Sequence, residues 1–551
     1  MSETRRRRRR WIIWTGAGVL AAMAVLACAA WLVARRAEPW LRARIVSELA
    51  ERFQARVELD GFHVRVADGL WVEGTGLRIW PPASVEGIRV PGEQNPLIRL
   101  EEFRFHAPIN LKQGVLKPGA TIHVSMVELK GLQMDLPPKT RFAHVGNAAP
   151  REGKAPLAGL ARFQIDAMEC ANAKLTLETS KPGKLPVVVE IARLKIMHVG
   201  EDGRMSYEAE LTNPKPTGTV RTKGTLGPWQ TADPGETPVQ GQYRFEHADL
   251  GTIKGIAGMM NSTGQFQGTL RELTVDGATE TPEFQLSHFG TALPLSTRFH
   301  AKVDATNGDT WLEWVEARLG RSHMLVRGEV VRAVENGQPI GHNVNLNVHV
   351  DDGRIEDFLR LTSKTGTPLM TGTLTMKTAF DLPPGRDPVH ERVRLKGVFA
   401  LDQAVFTSEK IQSKIVELSA RGLGEPEKAK AAAGGMTQSA MHGNFTMAAG
   451  TVQIPNLEYS VPGATIEMKG AYGVEDGTLD FAGMARLQAT VSQMVGGWKG
   501  LLLKPLDRYF KDEGAGTKIP IHISGTREAP EFGANLAGFQ FHTTPRTGRQ
   551  P

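Results

Sequence analysis

The sequence predicts a mainly β chain: an elongated, curled antiparallel β-sheet, groove-like and repeat-built, with a few short helices and one N-terminal transmembrane helix before it. Three observations carry this expectation. Asn343 to Val350 alternates polar and apolar residues without an error, as do Thr121 to Met126 and Ile519 to Ser524. Such alternation describes strands wet on one face and apolar on the other. Turn formers are plentiful, with 59 Gly and 33 Pro in 551 residues, and Asp276-Gly277, Asn307-Gly308, Asp352-Gly353 and Asp476-Gly477 fall at hairpin-like intervals. Finally, Trp11 to Ala34 is an uncharged run of 24 residues, and a helix of about 20 spans the hydrocarbon core of a bilayer.

The charge distribution orients that first element. The chain carries 66 Lys and Arg against 59 Asp and Glu, a formal +7. Residues 1–36 hold one acid, Glu3, and eight arginines: Arg5, Arg6, Arg7, Arg8, Arg9, Arg10, Arg35 and Arg36. They account for the whole excess, so the remaining chain is neutral. A neutral body lacks the general electrostatic term that polyphosphate binding needs, which argues against nucleic acid as a partner. Abutting an apolar span, Arg5 to Arg10 instead hold the N-terminus in the cytoplasm, and Trp11, Trp14 and Trp31 sit where interfacial indoles are favoured. A cleaved signal peptide has a shorter apolar core, and Leu26 is bulky for a lipobox at Val25 to Cys28. An uncleaved anchor is expected. The two cysteines, Cys28 and Cys170, form no zinc or redox motif.

Beyond the anchor, Leu41, Ile45, Leu49 and Phe53 are spaced for a short amphipathic helix beginning at Glu38-Pro39. From about Val57 the period becomes two. Residues 249–260 and 353–363 read as short helical stretches, each followed by a glycine-led strand, Gly268-Thr269-Leu270 and Gly372-Thr373-Leu374. The octets Gly277 to Phe284 and Gly525 to Phe532 echo one another, as expected of a repeated unit. Ser492 to Phe510 is a third apolar break. Segments 137–158 and 425–440 read as loops, and 541–551 as a polar tail. Roughly 25–30 strands are expected, which in one sheet would extend about 120–140 Å.

The chain presents no HExxH, Walker A loop or GxSxG, and Gly74-Thr75-Gly76 is too short for a dinucleotide fingerprint. His63, His123, His349 and His522 occupy polar positions of alternating strands, where solvated histidines are ordinary. No enzyme activity, metal or cofactor is expected.

The order of motifs resembles the bacterial AsmA-like family, relatives of TamB and the chorein-type bridge lipid-transfer proteins. At the N-terminal end the resemblance rests on Arg56 to Leu59, Gly69 to Gly74, Leu100 to Phe105, and Ile122 to Val124 through Gly131-Leu132. At the C-terminal end it rests on Phe445 to Gly450, Pro462 to Ala464, Gly470 to Tyr472, Gly477 to Phe481, Leu503 to Leu506, Gly514 to Thr517, Ile519 to Ile521 and Gly525 to Phe532. It implies six segments: a cytoplasmic basic segment 1–10, a transmembrane helix 11–34, an N-terminal helix-plus-strand module 37–136, a central β-rich repeat region 159–424, a C-terminal β region 441–540 and a tail 541–551. It also implies anchorage in the inner membrane, a periplasmic body, and phospholipid as the partner.

The function expected is lipid transfer or outer-membrane lipid homeostasis, with acyl chains held in an apolar β-groove. The groove lining expected from alternation is Ile122, Val124, Met126, Val344, Leu346, Val348, Ile521 and Ile523. In a closed sandwich the same residues would form an ordinary core. Met494, Val495, Trp498, Leu501 and Leu502 are expected to form a lid or a membrane contact, with a helix packed over the sheet as the alternative. The alternative function is a structural or assembly factor that binds outer-membrane or periplasmic proteins.

Overall fold

The structure is a computed structural model describing residues from Glu38 to His542 with breaks, the longest at 81–95, 108–120, 137–161, 178–186, 496–503 and 508–515. The expected membrane segment, with Trp11, Trp14, Trp31 and Arg5 to Arg10, lies outside the described residues. Among those described, no helix is long and apolar enough to cross a membrane. The chain divides into two compact units, residues 1–245 and 246–551. This boundary falls inside the central region 159–424 that the sequence suggested.

The first unit opens with helical residues between 38 and 50. Ile45 and Val46 lie on a buried cluster of Leu59, Phe62, Val64 and Val72. Strands β1 (Val57–Glu58), β2 (Gly61–Val66), β3 (Leu70–Ile79) and β4 (Ile98–Ala107) form antiparallel pairs, with β3 between β4 and the two short strands. Next come β5 (Thr121–Val124), β6 (Met126–Lys130) and β7 (Gln133–Leu136), which run parallel to β8 (Arg162–Leu177). The sheet is therefore mixed, not wholly antiparallel as expected. Parallel neighbours need a crossover of a dozen or more residues, and residues 137–161 supply that length between β7 and β8. Antiparallel order resumes through β9 (Val187–Val199), β10 (Met205–Pro214) and β11 (Thr217–Leu226). Strand β12 (Pro238–Asp249) crosses the boundary between the units.

The second unit is an antiparallel meander. It starts with β13 (Ile256–Ala257), β14 (Met259–Thr269) and β15 (Leu273–Leu286), where β13 and β14 both pair with β15. It continues through β16 (Phe289–Asp304), β17 (Asp309–Leu319), β18 (Ser322–Glu335) and β19 (Gln338–Arg354). Then follow β20 (Met370–Leu382), β21 (Arg394–Phe406), β22 (Ser439–Ala448) and β23 (Thr451–Val461). It ends with β24 (Ala464–Gly473), β25 (Leu479–Leu487), β26 (Thr517–Gly525), β27 (Pro530–Leu536) and β28 (Phe539–His542). Phe541 and His542 thus belong to a strand, not to the expected tail.

A structural repeat runs through this meander. Strands β15, β17, β19, β21 and β23 each carry a register shift, at Pro282-Glu283, Glu313-Trp314, Asp351-Asp352, Asp402-Gln403 and Pro455-Asn456. A bulge bends its strand and increases the local twist, and here one falls on every second strand. The octet echo does not mark this repeat. Gly277 to Phe284 lies inside β15, whereas Gly525 to Phe532 spans the turn between β26 and β27.

Four helices, α1 (Ile355–Thr362), α3 (Glu409–Gly422), α4 (Pro426–Ala431) and α5 (Val491–Val495), follow strands that end on one rim of the sheet. The one-turn α2 (Val389–Arg392) lies on the other rim. Residues 249–260, expected to be helical, form a 3-10 turn at Leu250–Thr252 and then strand. Gly255 and Gly258, at φ +97° and +126°, take the chain out of helical space there. The expected loop 425–440 contains α4, and α3 was not foreseen.

A buried acidic pair fixes α1. Glu356 and Asp357, each 2% exposed, stand in its first turn. Asp357 Oδ2 accepts from the Ser322 hydroxyl and the Arg321 amide, both at 2.9 Å. Glu356 Oε1 accepts from Arg321 at 2.6 Å and Arg354 at 3.1 Å. Asp357→Ala removes the acceptor of the buried Ser322 hydroxyl and the partly buried Arg321 amide, so the urea midpoint is expected to fall by the equivalent of about 1–3 kcal/mol. Equilibrium unfolding followed by tryptophan fluorescence checks this.

Candidate functional site

Successive side chains of a strand point to opposite faces, so residues in register across a sheet share a face. In the second unit one such line crosses twelve strands, β14 to β25: Phe266, Val275, Ala301, Leu312, Gly328, Leu346, Phe380, Leu395, Met447, Val452, Tyr472 and Leu479. None carries a charge. A second line beside it reads Gly264, Gly277, Phe299, Val315, Val326, Val348, Thr378, Gly397 and Phe445. The opposite face is different in kind. One of its lines reads Gln267, Thr274, Lys302, Trp311, Glu329, Asn345, Asp381 and Arg394.

The first unit repeats this division. Val64, Val72, Phe105, Val127, Met168, Ile196, Tyr207 and Gly224 share one face. His63, Glu73, Arg104, Glu128, Glu169, Lys195, Glu208 and Lys223 share the other. Lys195–Glu169 at 2.9 Å and Arg65–Glu73 at 2.7 Å are among its ion pairs. Exposed pairs of this kind contribute about 0–1 kcal/mol each; their main effect is on strand register.

Among the described residues, helices pack onto the apolar face of the second unit along one rim. Ile355 and Phe358 of α1 pack near Leu374 and Leu401. Ile411, Ile415 and Leu418 of α3, with Met494 of α5, pack near Tyr459, Ile466, Ala485 and Leu487. None of the twelve residues in the long line belongs to these clusters. Ten of them are half-buried, and Ala301 and Met447 are buried. Valines allow a comparison at equal size: Val326 and Val348 on the apolar face are half-buried, while Val398 on the polar face is 50% exposed. A further contact joins distant parts of the sheet. A Cβ built on Gly255, beside β13, would lie 3.4 Å from Cγ2 of Val389 in α2.

The expected lining residues land as follows. Val344, Leu346, Val348, Ile521 and Ile523 all lie on the apolar face of the second unit. Val124, in the first unit, is 4% exposed. Ile122 pairs with Phe163, and its side chain is outside the described residues. Met126 is a correction: it is in register with His106 and Trp71, on the charged face. The ladder breaks at Ser125, whose amide bonds His106 O at 2.9 Å, and Val127 takes the apolar position that unbroken alternation gave Met126. Met494 is buried under α3, which makes it part of a packed helix, and Val495 is half-buried. Trp498, Leu501 and Leu502 lie outside the described residues.

The residues missed from sequence are chiefly glycine–aromatic pairs. A side chain on Gly74 would overlap the Phe103 ring, and Cβ atoms on Gly397 and Gly470 would come within 2.8 and 2.5 Å of the rings of Phe445 and Phe481. Each ring therefore lies down over its cross-strand glycine and leaves a low floor. Electrostatically this face favours neutral forms. Burial pushes up the thiol of Cys170 and the phenols of Tyr207 and Tyr459, outweighing hydrogen bonds to the two tyrosines. Among the described residues no His, Cys, Asp and Glu cluster could hold a metal ion. Cys170, 3% exposed, is in register with Leu129 and Leu194. It is expected to resist iodoacetamide at pH 8 until denaturant is added, as read by peptide mass spectrometry. Comparison with protein-family models, curated proteins and solved structures found no match.

Proposed function

We propose that the chain is a lipid-transfer protein that holds phospholipid acyl chains against its apolar sheet face. In this reading Trp11 to Ala34 anchors it in a bacterial inner membrane, and the body works in the periplasm in outer-membrane lipid homeostasis. The observation that carries the proposal is the uncharged line of twelve residues, none of which belongs to a helix-packed cluster among the described residues. Eleven strand spacings of about 4.8 Å give that line a path of roughly 53 Å. A sandwich core would bury these side chains against a facing sheet. Their half-burial suits a hollow that an apolar ligand fills.

Curling of the second unit about this face is part of the proposal. Strands twist by about 20–25° per neighbour, and a bulge on every second strand adds to this. The Gly255–Val389 contact supports it, because β15 and β20 stand five spacings apart and these residues belong to opposite rims. Acyl chains entering the hollow gain about 0.8 kcal/mol per buried methylene without any specific partner side chain. That accounts for a site made of a stripe instead of a constellation.

The test is lipid content. The full chain, purified in mild detergent, is expected to retain phospholipid detectable by mass spectrometry. Leu346→Glu puts a charge in the middle of the stripe and is expected to remove most of that lipid. Circular dichroism and the urea midpoint, read on the same variant, show whether it keeps its fold, since an unpaired carboxylate at a half-buried apolar position costs stability of its own. Asn347→Glu, one residue on and facing the polar side, is expected to leave lipid unchanged. Equal lipid in both variants, or none in the parent chain, rejects the proposal.

A further inference from the structure

The polar face of the second unit carries an aromatic patch that alternation does not call for. Trp311 lies on that face in register with Lys302 and Glu329. Among the described residues it is the one aromatic side chain that stands exposed, at 40%. The bulge of β17 enlarges the patch. Its extra residue lets Glu313 and Trp314 turn to the same side, so β17 presents Trp311, Glu313 and Trp314 together on the polar face. The other four bulges, at Pro282-Glu283, Asp351-Asp352, Asp402-Gln403 and Pro455-Asn456, hold no aromatic residue. Polar groups surround the rings. His300 is nearly parallel to Trp314, with 10° between the planes and 6.1 Å between the centroids. Its Nδ1 is 2.6 Å from Asp276 Oδ1, and its Nε2 is 3.4 Å from Glu313 Oε2. Lys302 Nζ lies 3.5 Å from Glu272 and 3.7 Å from Glu313. Asp276, Glu313 and Lys302 are each nearly half exposed, so each keeps a side open to a ligand.

We propose that this patch binds a neutral polysaccharide, with one pyranose ring lying on Trp311. A pyranose is apolar across one face, where its C–H groups meet the negative face of an aromatic ring, and it carries hydroxyls around its edge. A hydroxyl both donates to a carboxylate and accepts from an ammonium, so the two signs of charge around Trp311 serve one ligand. Other ligands are served badly. The three carboxylates repel a phosphate, and an acyl chain laid here would desolvate charged groups without pairing them. A cation over the Trp311 ring meets the ammonium of Lys302, the register neighbour of that ring. The patch lies on the face opposite the stripe and does not depend on the lipid reading.

The test is titration of the full chain, in a detergent with no sugar headgroup, with chitohexaose, cellohexaose and maltohexaose, followed by calorimetry. At least one of the three is expected to bind. Trp311→Ala is expected to weaken that binding by about tenfold or more, and Trp311→Tyr, which keeps a flat ring, to retain most of it. Leu346→Glu, on the other face, is expected to leave it unchanged. A neutral ligand forms no ion pair, so its affinity is expected to hold between about 50 and 500 mM NaCl. Circular dichroism checks the fold of each variant. If Trp311→Ala loses its fold, Asp276→Ala, which removes an acceptor at the edge of the patch, decides in its place. No binding of any of the three oligosaccharides overturns the proposal, as does binding by the folded variant equal to that of the parent chain. Binding of a lysine-rich peptide in their place, lost as salt rises, overturns it in favour of a protein partner.

Discussion

Everything in this molecule follows from the two-sidedness of a single-layer sheet. A strand cannot choose independently which residues face inward; each hydrogen-bonded register passes the choice to its neighbour. The line from Phe266 to Leu479 is the result of eleven consecutive registers agreeing. The bulges preserve that agreement. Between Leu312 and Val315, both apolar, strict alternation would turn one of them outward, and the extra residue at Glu313-Trp314 restores its face. The shifts at Asp351-Asp352 and Pro455-Asn456 do the same for Val350 and Gly353 and for Ile454 and Leu457. Bulges here therefore keep the stripe continuous while bending each strand.

Such a sheet must place its apolar face somewhere. The helices solve the problem at one rim, where α1 and α3 build ordinary packed clusters around Leu401 and Ile466. Their coverage stops short of the long line. The amount of helix is small because the connections on the other rim are mostly tight turns, such as Asp304 to Asp309 and Ala448 to Thr451. Packed core and half-buried apolar surface are thus separated along the strand axis. One end of each strand is packed core, and the remainder is surface that a sheet can shield only by bending.

Much of the fold could be read from the sequence because alternation is a local property. Asn343 to Val350 told the truth about its two faces before any partner was known, and so did Ile519 to Ser524. What failed was everything that depends on pairing. Met126 was assigned to the wrong face because a single residue, Ser125, breaks the ladder, and nothing in the alternation announces it. The parallel course of β5 to β7 beside β8 is equally silent, since parallel and antiparallel strands share the same period. The repeat resides not in the matching octets but in bulges separated by unequal lengths of chain. The helix α3 had a legible signal in Ile411, Ile415 and Leu418, spaced as a helix face should be. Its apolar stripe is short and lies between two long strands, β21 and β22, whose alternation dominates the local pattern.

The neutrality of the body gains a physical meaning from the register. In the first unit the charges form a cross-strand line, Glu73, Arg104, Glu128, Glu169, Lys195, Glu208 and Lys223, on the face opposite that unit's apolar line. Mixed signs, apart from the Glu128–Glu169 pair, keep that face at low net charge, and they offer no extended field to recruit a polyanion. A face this rich in charge is favoured in water, and the period of two places the apolar residues on the other face. The two faces therefore constrain one another. Register passed from strand to strand holds the charged side chains on one face and so assigns the apolar ones to the other.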